Sequence, residues 1–303
     1  MPSAFFSSAC YPENLAGSAE KRRIAPFFSA LLGSRPMTAP DRSDFGIDME
    51  VRDGVAWVVL RNPARLNALR LEMWEALPGT IAALGADAGV RVLVLRGHGT
   101  EAFASGADIS EFSSRRKDAR SAAAYEVTTA EAFEAVLACD KPVVAMIHGV
   151  CIGGGLALAA CADVRIAADD ARLAVPAARL GLGYHFSGVE RLVRIVGPSS
   201  AAELFFTARQ YGAADALRIG LVNQVVPKAE LDEFAARYVA AIAANAPLTI
   251  RAAKRAIRET ARAEAERDMV ELTRTIAGCF ESADYAEGVR AFLEKRAPRF
   301  RGG

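Results

Sequence analysis

Residues 142–162 read PVVAMIHGVCIGGGLALAACA and contain no Asp, Glu, Lys or Arg. An apolar run of about 20 residues is long enough to cross a bilayer. Its internal pattern argues against that. Val143 to Ile147 is a short apolar strand run, Gly153, Gly154 and Gly155 break the backbone, and residues 155–162 read as a buried helix. Three consecutive glycines make poor membrane helix, and neither a second span nor a flanking Lys/Arg cluster is present. The stretch therefore reads as strand, glycine loop, helix, and a membrane association is not expected.

A second glycine loop precedes it. Phe103-Ala104-Ser105-Gly106-Ala107-Asp108-Ile109 follows a β-branched strand run at Val90 to Leu95. Gly106 permits a tight turn that a side chain would block. Asp108 and Glu111 have capping-box spacing, which predicts a helix starting at Asp108. The N–H of Ala107 then lies at or just before a helix start, as does that of Gly154, where such groups lack intrahelical partners. The helix macrodipole adds positive potential there. Neither Gly-x-Gly-x-x-Gly nor a Walker pattern is present, so a nucleotide-phosphate loop is a weak reading. Two orphan donors suit another task, holding one developing oxyanion.

Outward from these loops the chain divides. Residues 1–44 are rich in Ser, Ala and Pro and are expected to form a disordered N-terminal extension, with Met37 as a candidate natural start. Residues 45–240 are expected to form an α/β core. Ile47 to Val51 and Val55 to Leu60 flank Asp53-Gly54 and predict a hairpin. Helical spacing follows at Leu71 to Leu84, limited or kinked by Pro78, and at residues 116–138. Short strands are expected at Val164 to Ala167, Leu173 to Val175 and Asn223 to Val226. Residues 241–303 are expected to be a helical C-terminal region whose apolar faces need cover.

Composition narrows the partners. The 303 residues carry 37 basic and 36 acidic side chains, a net charge of +1, which argues against nucleic acid and polybasic membrane binding. Cys10, Cys139, Cys151, Cys161 and Cys279 form no Cys-x-x-Cys pair, and with His98, His148 and His185 they give no zinc-ligand spacing. A reducing, cytoplasmic setting with inert thiols and no metal is expected, Cys151 being the best candidate for a reactive thiol.

Taken together, Asn62-Pro63, Leu66 to Leu69, Phe103 to Ile109, Lys141 to Asp163, Leu180-Gly181, Ala213 to Val226 and Phe292 to Phe300 make residues 45–301 resemble the crotonase, or enoyl-CoA hydratase/isomerase, superfamily. That resemblance implies an α/β spiral of ββα turns with a helical C-terminal trimerisation region, giving a homotrimer or a dimer of trimers. It implies an acyl-CoA substrate, with coenzyme A as part of the substrate and no separate cofactor. The N–H groups of Ala107 and Gly154 would bind the thioester oxygen. Arg65, Leu66 and Ala68 would cradle the adenine end of CoA, and Phe292 and Lys295 would reach a CoA site, often across a subunit boundary.

The same resemblance points to what is missing. The two glutamates of the family's hydratases fall at Ala157 and Ala177, neither of which moves a proton. Tyr184 and His185 are then the nearest candidate proton donors, and the loop around Tyr184 with the tail at 283–298 resembles methylmalonyl-CoA decarboxylases. Decarboxylation of a malonyl-type acyl-CoA is the favoured expectation. The alternatives are an enoyl-CoA hydratase or isomerase working through Tyr184 and His185, and a non-catalytic acyl-CoA-binding protein. His148, Asp108, Asp163 and Glu111 are expected to be structural, and His98 to sit in an exposed turn.

Overall fold

A hairpin of β1 (Gly46–Arg52) and β2 (Val55–Arg61) opens the fold, closed by Asp53 and Gly54 with φ of 51° and 77°. Positive φ at both turn residues matches the right-handed twist of the strands and suits an Asp-Gly pair. This is a computed structural model, and it describes residues 45–112 and 118–303. The expected N-terminal extension with Met37 and Cys10, and the first two residues of the helix expected at 116–138, lie outside the described residues.

After the hairpin comes α1 (Leu71–Ala86), which runs through Pro78 rather than ending there. Burial of Met73, Trp74, Leu77, Ile81 and Leu84 along one face outweighs the hydrogen bond that Pro78 removes. Then β3 (Val92–Gly97) leads to β4 (Ala102–Ala104), and α2 (Ala119–Ala138) is the next long helix. The pattern repeats with β5 (Val143–Ile147), β6 (Val150–Ile152) and α3 (Gly154–Cys161), and again with β7 (Val164–Ala168), β8 (Arg172–Ala174) and the short α4 (Ala177–Leu180). Each turn gives one strand to each of two sheets. With β9 (Tyr211–Gly212) and β10 (Gln224–Val226), the larger sheet has order β1-β2-β3-β5-β7-β10 and the smaller β4-β6-β8-β9. This is the spiral of ββα turns expected from the sequence.

The larger sheet is parallel from β2 onward, and all five residues of β5 are buried. A strand covered on both faces reads as a continuous apolar run, as β5 does. One face meets α7 (Leu231–Ala243) through Leu231, Ala235, Val239 and Ala243, spaced four apart on one helical stripe. The other face joins the main core with Trp74, Phe103, Leu156 and Leu158. In the chain, α5 (Phe186–Thr207), which bends at Gly197, and α6 (Ala213–Arg218) come between α4 and α7.

The chain ends in α8 (Pro247–Thr260), α9 (Met269–Phe280) and α10 (Ala283–Leu293). Lys254 of α8 is buried, and its Nζ donates to Asp163 Oδ2 at 2.6 Å, while the same carboxylate oxygen accepts from Val143 N at 2.7 Å. That pair ties the helical region to the edge of α3 and β5. The last residues fold back, with Arg301 N and Gly302 N donating to the buried Asp284 carboxylate. Val270, Phe280, Phe292 and Leu293 stand exposed on this region, an apolar face without cover in one chain. Among the described residues no helix is long and apolar enough to cross a membrane.

Candidate functional site

The site is built where β4 and β6 end. These strands run parallel, with Ala102 opposite Val150 and Ala104 opposite Cys151, so both glycine loops leave the small sheet side by side. Their approach is too close for side chains: a Cβ on Gly155 would lie 2.4 Å from the Ala104 carbonyl oxygen. A Cβ on Gly154 would lie 3.5 Å from Ala107 N and 3.2 Å from the Trp74 ring. The Ala107 and Gly154 amides therefore border one small space, walled by Trp74.

Hydrogen bonds fix the first donor. Leu69 N donates to Gly106 O at 2.7 Å, and Asp108 N donates to Leu69 O at 2.9 Å. In such a parallel bridge the intervening Ala107 N–H turns away from Leu69. Among the described residues neither the Ala107 nor the Gly154 N–H reaches a backbone acceptor. Gly154 is the first residue of α3, where an N–H has no intrahelical partner and the dipole is positive. Trp74 is held behind both by Nε1–H donating to Tyr125 Oη at 3.0 Å and by edge-on packing against Phe133. Two convergent, half-buried N–H donors can stabilise one anionic oxygen.

The capping box expected at Asp108 is not formed. Asp108 does cap, accepting from Ser110 N at 3.0 Å, but it caps a single 3-10 turn at Ile109–Glu111. Glu111 does not reach back to Asp108. Its carboxylate accepts from Arg70 Nε at 2.8 Å and from Leu71 N at 2.9 Å, the first N–H of α1. A guanidinium and an orphan helix N–H together outcompete one local amide.

The loop at Arg65, Leu66 and Ala68 is stitched to the first glycine loop. Ser105 N donates to Leu66 O, and Ser105 Oγ donates to Arg65 O. Leu66 and Asn67 have φ of 51° and 56°, and buried Asn67 donates through Nδ2 to His98 O and Ala102 O. Arg65 lies 3.5 Å from Asp108, while Ala68 is buried and offers a ligand only its backbone. Phe292 lies on α10, 83% exposed, and Lys295 lies two residues beyond that helix, with φ of 54°.

Ala157 of α3 and Ala177 of α4 are buried and apolar. Ala157 lines a cavity of about 390 Å³ with Phe133, Leu137, Cys161, His185 and Arg191. His185 caps α5, its Nδ1 2.9 Å from Ser187 Oγ. Tyr184 is not among the lining residues; its ring packs edge-on to Phe205 with centroids 5.0 Å apart and fills the space beside Gly188. Burial pushes the Tyr184 hydroxyl well above its ordinary range and keeps it protonated. Sequence reasoning missed the Trp74 wall and the cavity residue Arg191, because each acquires its role only by packing against a distant element.

The remaining candidates are structural. His148 is buried at the end of β5, with Nε2 3.4 Å from Asp232, whose carboxylate also accepts from Arg96. Burial lowers its pKa, with Asp232 opposing, so the imidazole is neutral. Cys151 is fully buried and its thiol is pushed far up, which removes it as a nucleophile. Among the described residues no group of His, Cys, Asp or Glu could hold a metal ion.

Comparison with known proteins agrees with this architecture. The family model described as enoyl-CoA hydratase/isomerase matches residues 50–303. A crotonyl-CoA hydratase of Syntrophomonas wolfei is 34% identical over 254 residues, covering 84% of this chain and 97% of the relative. A short-chain-enoyl-CoA hydratase of Clostridium acetobutylicum is 33% identical, covering 82% and 94%. A crystal structure described as an enoyl-CoA hydratase/carnithine racemase from Magnetospirillum magneticum superposes with a TM-score of 0.79 at 36% identity, over 87% of this chain and 97% of that one.

Proposed function

This chain belongs to the enoyl-CoA hydratase/isomerase family and, as one of its enzymes, acts on an acyl-CoA thioester; we propose that its reaction is decarboxylation of a malonyl-type acyl-CoA. The observation that carries this is the pairing of two convergent N–H donors with alanine at residues 157 and 177. The Ala107 and Gly154 N–H groups hold the thioester oxygen. The bond from Cα to the carboxylate breaks, CO₂ leaves, and the electron pair moves into the thioester as an enolate on that oxygen. Each donor contributes about 3 kcal/mol to this charge. No base is needed for that step. A glutamate at residue 157 or 177 would repel the substrate carboxylate, whereas buried alanines favour loss of its charge.

The enolate then takes one proton at Cα. His185 lines the cavity beside Ala157, and the Tyr184 hydroxyl stays protonated across the physiological range. Either supplies or positions that proton. Coenzyme A is bound as part of the substrate, with no separate cofactor. The loop at Arg65, Leu66 and Ala68 takes its adenine end, and Phe292 and Lys295 reach it from a neighbouring copy in a trimer or dimer of trimers, whose contacts cover the apolar C-terminal face.

A second reading, hydration of a short enoyl-CoA through Tyr184 and His185, is favoured by the names of the relatives above. An acyl-CoA panel read by mass spectrometry separates the readings. Methylmalonyl-CoA or ethylmalonyl-CoA is expected to give the thioester lighter by one CO₂. Absence of that product, alongside crotonyl-CoA hydration that is lost in a Tyr184→Phe/His185→Ala double change, overturns decarboxylation in favour of the second reading. Binding of CoA thioesters with no turnover across the panel identifies a non-catalytic binder.

A further inference from the structure

The cavity beyond Ala157 has an apolar wall and one unpaired cation. Ala157, Ala160 and Cys161 of α3 line it together with Phe133 and Leu137 of α2 and Arg191 of α5. Arg191 is half-buried, and among the described residues its guanidinium has neither a hydrogen bond nor an ion pair. Its neighbour Glu190 is taken by Arg194 at 2.9 Å. A half-buried guanidinium without an anion is an incomplete arrangement, because charged groups taken from water are ordinarily paired.

The position of Arg191 sets which part of a ligand it meets. Its positive charge acts on the Cys161 thiol and on Arg165, at the C-terminal end of α3. Helix α3 rises about 1.5 Å per residue, so Cys161 lies about 10 Å along it from Gly154, the reach of an acyl group of about six to eight carbons. The Cys161 end of the cavity thus lies where a longer acyl group ends, and the Arg191 charge acts there. Glu131 and Glu134 also line the cavity, but both are exposed and screened by water, whereas Arg191 acts from a less solvated position.

We propose that Arg191 is a specificity-determining residue that selects acyl-CoA thioesters carrying a free carboxylate at the far end of the acyl group. An apolar chain along α3 ending in an anion matches the wall and its terminal cation. A guanidinium binds a carboxylate through two parallel N–H···O bonds, which fixes the chain end as well as attracting it. The inference rests on the acyl-CoA reading of the site and not on which bond the enzyme breaks.

Calorimetric titration of the full chain with adipoyl-CoA and hexanoyl-CoA tests it, because these differ at the chain end and not in length. Adipoyl-CoA is expected to bind about tenfold or more tightly, the effect of one charge-assisted contact. Arg191→Gln should remove that preference while leaving hexanoyl-CoA affinity unchanged, and Arg191→Lys should keep part of it. A merely structural arginine would lower both affinities together. Equal binding of the two ligands by the unaltered protein, or a preference that survives Arg191→Gln, overturns the inference alone. Binding of neither overturns the acyl-CoA reading and the inference with it. If Arg191→Gln fails to fold, the unaltered protein and Arg191→Lys decide.

Discussion

Replacing Gly154 with proline is expected to lower turnover about 10²- to 10³-fold while leaving the chain folded. Proline removes the N–H and sets its ring Cδ where that hydrogen pointed. Gly154 is the first residue of α3, a position where proline is tolerated because the N–H has no helical partner. What is lost is one of the two donors that hold the developing charge on the thioester oxygen. Proline also adds a Cβ, which would lie 3.2 Å from the Trp74 ring and 3.5 Å from Ala107 N. Gly154→Ala isolates the effect of the Cβ, because it adds that atom and keeps the N–H. The measurement is kcat on the best thioester of the panel, with a thermal melt of each variant. A Gly154→Pro enzyme that stays folded and as active as Gly154→Ala would remove this N–H from the mechanism.

Gly149→Ala is expected to destabilise the fold by about 3 kcal/mol or more without touching the donors. Gly149 has φ of 49°, and a Cβ there would lie 2.0 Å from the Glu101 carbonyl oxygen. The three nearest atoms, Glu101 O and C and Ala102 N, are all backbone, so no side chain can rotate aside. The same oxygen accepts from Val150 N, the contact that sets β4 against β6 and aligns the glycine loops after them. For a domain of this size the melting temperature should fall by roughly 6 °C or more. Gly278→Ala on α9 meets nothing within 4 Å and is the matched control. A Gly149→Ala melt equal to that control would show that β4 and β6 separate at little cost.

Local patterns made much of the fold legible. Asp53-Gly54 between alternating residues fixed the hairpin, and the continuous apolar run at Val143–Ile147 matched a strand buried on both faces. The glycine loops were legible because no other residue fits where backbones approach within a side chain's width. Features set by distant partners were not. Glu111 has capping spacing to Asp108, yet it pairs with Arg70, 41 positions away. Helix α1 passes Pro78 because its buried face holds it, which propensity alone does not report. Arg191 reads as an ordinary charged helix residue until α2 and α3 enclose it. Tyr184 and His185 are adjacent in sequence, yet only His185 lines the cavity, because the Tyr184 ring turns to Phe205.

The most direct test of the site is a crystal structure with a non-reactive acyl-CoA analogue bound. The carbonyl oxygen, or the group replacing it, is expected about 2.7–3.1 Å from both Ala107 N and Gly154 N. The acyl group should then run past Ala157 toward Arg191. An analogue bound with that oxygen out of reach of either amide would contradict the account.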